Sequence, residues 1–123
     1  MLRILLADRS ASARDATKLN LSRYADEWQV VAEASDEASL LAHINEQCQD
    51  VVILHASLEQ RPLPDLIGQL RTNCPQAGIL VSSSNLELET VVLAAGADAF
   101  MYLGDPPSRM ITKLRIIQSE RIR

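Results

Sequence analysis

An α/β domain with a doubly wound parallel sheet is what this sequence predicts. Short unbroken apolar runs alternate with longer segments of helical period, the pattern of successive βα units. Two of those runs, Ile4–Leu6 and Val51–Leu54, are apolar without interruption, as strands buried on both faces of a parallel sheet must be. The chain is 123 residues long and 47% hydrophobic, which suits one domain spanning residues 1–123 with a substantial core.

In chain order, the first strand is expected over Arg3–Ala7 and the first helix over Ala11–Tyr24, with Ser10 offering its hydroxyl to the free amides of the first turn. A second strand, Gln29–Glu33, leads to a helix over Glu37–Gln47 capped by Asp36. The third strand, Asp50–Leu54, is followed by a proline-stiffened loop and a helix over Leu66–Asn73 with Asp65 as its cap. Gly78–Ser82 is the fourth strand, and Asn85 caps a helix over Leu86–Ala95 that Gly96 stops. The fifth strand, Ala99–Leu103, precedes a last helix over Ser108–Arg121. Right-handed crossovers then put helices on both faces of five strands, with a crevice at the strands' carboxyl ends. Asp8, Arg9, His55, Ser82, Ser83 and Leu103 are the residues delivered there.

Charge narrows the function classes. The formal net charge is −4, so this chain has no electrostatic footprint for wrapping a phosphate backbone and no direct nucleic-acid contact is expected. No apolar run approaches spanning length, so no membrane role is expected either. Cys48 and Cys74 fit neither a disulfide framework nor a CxxC metal spacing, and are read as free thiols in a cytoplasmic protein. No cofactor or metal site is expected, and no enzyme, because no positioned nucleophile with oxyanion donors is visible.

RILLADRSASAR, VVAEASDEASL, DVVILHASL, CPQAGILVSSSN and AGADAFMYLGDPP together resemble the receiver domain of bacterial response regulators, most of all its LuxR-type branch, from about Leu2 to about Ile117. The resemblance implies a flavodoxin-like fold with strand order 2-1-3-4-5. It also implies a crevice where an aspartate takes a phosphoryl group beside Mg²⁺. Asp8 matches the first of the family's two acids after strand one, but the second falls on Arg9. The phosphoacceptor position is His55, the switch hydroxyl is Ser82 or Ser83, and the lysine ending strand five is Leu103. Phe100 matches the switch aromatic.

Mg²⁺ needs oxygen ligands that Arg9 and His55 lack, and leucine has no charge for a phosphoryl group. The expectation is therefore a phosphorylation-independent receiver-like regulator, acting through protein contacts as the N-terminal part of a transcriptional regulator. Alternatives are a stand-alone adaptor or ligand-sensing receiver-like protein, and a small flavodoxin-like enzyme or nucleotide binder. His55 is expected to be a neutral imidazole bonded to Asp8 or a serine, and Arg9 to stand in electrostatically for the metal beside Asp8. Met110, Leu114 and Ile117 make a core stripe, and Ile111, Ile116 and Ile122 exceed what one stripe requires, so the last helix is expected to carry a homodimer or partner contact through Ile111, Leu114, Ile116 and Ile122.

Overall fold

The computed structural model describes residues 1–58 and 61–121. Five parallel strands, β1 (Leu2–Ala7), β2 (Trp28–Ala34), β3 (Val51–His55), β4 (Gly78–Ser83) and β5 (Ala99–Tyr102), form one sheet in the order β2-β1-β3-β4-β5. They alternate with α1 (Ala11–Ser22), α2 (Glu37–Glu46), α3 (Leu63–Asn73), α4 (Leu88–Ala95) and α5 (Ser108–Arg121). This is the expected α/β architecture and strand order. Among the described residues, no helix is long and apolar enough to cross a membrane.

Strand parity divides the core into two layers, because successive side chains point to opposite faces. Leu5, Val52, Leu54, Ile79, Val81 and Phe100 pack against α2, α3 and α4. Ile4, Leu6, Val51, Ile53, Leu80 and Met101 face α1 and α5. The same parity carries Asp8, His55 and Ser82 onto the α1/α5 side, while Ser83 turns to the other.

Local chemistry sets the helix starts. Ser10 Oγ accepts from Ala13 N as expected, and Asp36 and Ser39 form a reciprocal capping box on α2. The third and fourth helices differ from expectation. α3 starts three residues early, at Leu63, because Pro64 sits in its first turn with φ already fixed, leaving Asp65 inside the helix and not at its cap. Asn85 accepts from Glu87 N in a turn ahead of α4, so the helix begins at Leu88. Gly96 ends it at φ 120°, a conformation that a side chain would strain.

The amino-terminal end of the sheet is heavily tied. Cys48 and Cys74 are joined in a disulfide with Cα atoms 5.6 Å apart, correcting the expectation of free thiols. The α2–β3 and α3–β4 loops run side by side there, and Gly78 N donates to Asp50 O at 2.8 Å. Asp50 Oδ2 also accepts from Arg3 N at 2.8 Å. Arg71 donates to the carbonyls of Ala77 and Gly96 and to Asp98 Oδ2, the last at 2.9 Å, and that same oxygen accepts from Ile79 N at 2.7 Å. Arg115 lies over the Trp28 ring and pairs with Glu27. The Arg115 guanidinium holds the Glu27 carboxyl below its ordinary range.

Ile111 and Leu114 belong to the core, at 7% and 1% exposure beside Met110 and Ile117, and this corrects their assignment to an interface. α5 presses its whole inner face onto β4 and β5, closely enough that a Cβ at Gly78 would stand 2.4 Å from Ile117 Cγ2. Of the expected interface side chains, Ile116 alone is exposed among the described residues, and Ile122 lies outside them.

Candidate functional site

The carboxyl ends of β1, β3, β4 and β5 open onto a cavity of about 500 Å³ beneath α1. It brings together Asp8, Arg9, His55, Ser82 and Leu103 from the sequence-predicted set. Ser83 and Phe100 are not part of it. Ser83 Oγ accepts from Asn85 N at 3.0 Å and shapes the β4–α4 loop, and Phe100 is buried on the α3/α4 face. Ser82 is thus the hydroxyl that the fold presents to the pocket, in register with His55 across β3 and β4.

Asp8 is buried at the end of β1, with Oδ1 accepting from Ser10 N at 2.9 Å, so the carboxylate braces the turn that starts α1. Arg14 Nη1 donates to the Asp8 carbonyl and Arg14 Nε to Glu33. Hydrogen bonding from Lys18, and then from Arg14, holds the Glu33 carboxyl below its ordinary value. Asp36 is likewise lowered, first by the Ser39 amide, then by the Ser39 hydroxyl, with a smaller contribution from the charge of Arg9.

Arg9 does not pair with Asp8. Its Nε donates to Ser57 O at 3.0 Å and its Nη2 to Leu58 O at 3.3 Å. Those carbonyls belong to the 3₁₀ turn Ala56–Leu58 that follows His55. The expectation that Arg9 neutralises Asp8 is therefore corrected: a guanidinium fork matches two neighbouring carbonyl oxygens, and it pins the loop across the crevice.

His55 is bonded to a serine. Ser57 N donates to Nδ1 at 2.9 Å, and the Ser57 hydroxyl lies 2.6 Å from the same nitrogen. A backbone N–H can only donate, so Nδ1 is an acceptor and the ring proton sits on Nε2. Ser57, two residues on from His55, was not singled out in the sequence; a histidine followed at i+2 by a hydroxyl is the signal that marks this turn. Ala13 and Thr17 in the cavity wall and the exposed Ala16 at its edge were missed as well, because alanines in a helix read simply as good helix formers.

This donor set does not suit Mg²⁺. Asp8 supplies one carboxylate, Arg9 and Leu103 supply no ligand atom, and His55 offers nitrogen where a hard cation wants oxygen. No group of three or more His, Cys, Asp or Glu placed to hold a metal occurs among the described residues.

With fold and pocket in view, similarity to solved structures is clear. A LuxR-family two-component response regulator from Aurantimonas sp. SI85-9A1 superposes with TM-score 0.84 at 21% identity, covering 98% of this chain and 87% of that one. The fold is that of a receiver domain. A CheY-like response regulator receiver domain protein from Methanospirillum hungatei JF-1 matches with TM-score 0.83 at 21% identity, covering 98% and 96% of the two chains. RcsB from Salmonella enterica serovar Typhimurium bound to promoter rprA matches with TM-score 0.86 at 18% identity, over 97% of this chain and 62% of that one. No protein-family model matches the sequence, and no curated protein matches it.

Proposed function

We propose that this chain is a receiver-like regulatory domain that works without aspartyl phosphorylation and passes its state on through protein contacts. One observation carries the reading. At the end of β3, where the resemblance puts the phosphoacceptor, stands His55 with its Nδ1 engaged by Ser57, while the nearest guanidinium, Arg9, is committed to two loop carbonyls. Phosphoryl transfer to either residue type needs positive charge on the phosphoryl oxygens, and Leu103 supplies none. Asp8 is a brace for α1, and Phe100, at the switch-aromatic position, is held in the core.

In this reading the chain is the regulatory part of a transcriptional regulator, a role supported by the LuxR-family and promoter-bound neighbours. Leu86, Val91 and Leu93, in and just before α4, and Ile116 on α5 are exposed apolar side chains through which a partner or second copy would be engaged. We place this regulator in the cytoplasm, where disulfides are uncommon, so the state of the Cys48–Cys74 bridge in the cell is a direct check on that placement. Mass measurement of protein alkylated at the moment of cell lysis reports that state.

The test adds beryllofluoride with Mg²⁺ while amide NMR spectra are recorded. No shift at Asp8, His55 or Ser82 is expected, and a saturable shift there overturns the proposal. The single variant His55→Asp should likewise take no phosphoryl group from acetyl phosphate, read as an unchanged intact mass, because the second acid and the lysine remain absent. The cavity itself favours one of the alternatives, a ligand-sensing domain, over a bare adaptor.

A further inference from the structure

α1 is seated on the sheet unevenly. Leu21, near its carboxyl end, is its one buried residue, whereas the preceding turns present Ala13, Ala16 and Thr17 towards Leu6, Ile53 and Met110. An amphipathic helix ordinarily fills such a stripe with large side chains. Small ones leave the cavity of about 500 Å³, within the size range of small-molecule sites, and a second hollow of about 210 Å³ adjoins it past Leu103.

Polar groups are few and convergent. Ser82 is 5% exposed and lines the cavity, and its hydroxyl makes no hydrogen bond to any described residue. Its oxygen still reaches solvent through the mouth of the crevice, so a ligand hydroxyl placed there would take over a hydrogen bond that water can make. Asp8 has its second carboxylate oxygen left over after Ser10 is satisfied, and Nε2–H is the polar group remaining on His55.

We propose that this cavity binds a neutral, largely apolar small molecule bearing a hydroxyl group, of the aromatic-alcohol or phenol type. The proposal rests on the reading of the pocket as one that no longer takes phosphate, and it names what the same pocket takes instead. An anion meets the buried Asp8 carboxylate directly, while the one cation among the described lining residues, Arg9, keeps its charge but has its fork turned to Ser57 O and Leu58 O, and Leu103 is uncharged. An ammonium can donate to Asp8 but cannot accept from His55 or Ser82. A hydroxyl does both, and its apolar body covers Leu103 and Ala16.

The test is an amide-resolved NMR titration of the chain with a naphthol and with the matching naphthoate. Naphthol should give saturable shifts centred on Ala13–Thr17, His55 and Ser82, and naphthoate should bind roughly tenfold more weakly or worse. Ala16→Phe, at a position exposed to solvent, should lose naphthol binding by about the same factor with the rest of the spectrum retained. Leu103→Lys should reverse the preference towards naphthoate. Equal binding of the two probes, shifts that survive Ala16→Phe, or no saturable shift up to the solubility limit of naphthol each overturn the site. Beryllofluoride with Mg²⁺ is a separate arm: a response to it overturns phosphorylation independence, whereas silence from naphthol overturns this site and leaves phosphorylation independence standing.

Discussion

The two ends of the sheet are built on different principles. At the amino-terminal end, loops are cross-linked by Cys48–Cys74, Arg71 gathers the carbonyls of Pro75, Ala77 and Gly96 together with Asp98, and Asp50 holds both Arg3 and Gly78. At the carboxyl end, α1 spans a cavity to which it turns small residues, and the crossing contacts are side-chain ones: Arg9 to the turn after His55, Asn20 to the Pro107 carbonyl and Arg61 to Glu37. The disulfide and the Arg71–Asp98 cluster thus lie away from the pocket. The strand ends at the pocket can therefore carry His55, Arg9 and Leu103 while the central strands β3 and β4 stay buried.

That contrast can be broken by measurement. The largest effect belongs to the disulfide, which closes a loop across a sequence separation of 26 residues. Reduction, or Cys48→Ser, should lower unfolding free energy by about 3–4 kcal/mol in the chain-entropy account, read from urea unfolding with and without reductant. A smaller loss than that of any pocket variant would reverse the comparison. Next comes Asp98→Ala, which strips Arg71 and Ile79 N of a shared acceptor and should cost about 2–3 kcal/mol on the same assay. At the other end, Arg9→Ala removes two bonds from an exposed guanidinium and should cost under about 1 kcal/mol. Amide exchange at Ser57 and Leu58 should nevertheless quicken.

The smallest effect sharpens the picture by pH. Glu33, held down by Lys18, and Glu27, held down by Arg115, have folded values below the ordinary 4.5, so the folded state binds fewer protons than the unfolded one. Their stabilisation is present above that value and is lost as pH falls from about 4.5 through the lowered folded values. Thermal melts should show a shallow decline over that window, shallower in Glu33→Gln; an identical decline in that variant would remove Glu33 from the account.

Most of the fold was legible because apolar runs such as Val51–Leu54 have few alternatives to a buried strand. Position in the crevice followed from strand ends alone, which is why Asp8, Arg9, His55, Ser82 and Leu103 do converge. What remained hidden depended on side-chain direction. Arg9 has a backbone position that predicts proximity to Asp8, yet its long side chain reaches the carbonyls of another loop. Ile111 and Leu114 share a helix with Ile116, and only the real seating of α5 on Gly78 separates inner from outer. The cysteines are distant in sequence, and nothing local announces that two loops run together. The cavity is invisible in sequence because it is made of what Ala13 and Ala16 lack.

Ser57 grips His55 through one ring nitrogen with both its amide and its hydroxyl, and turning the ring about its bond to Cβ would break both contacts together. The imidazole is therefore a fixed wall and not a hinged gate. The way into the cavity therefore lies on the opposite side, along the flank of α1 where Ala16 and Leu103 are both exposed.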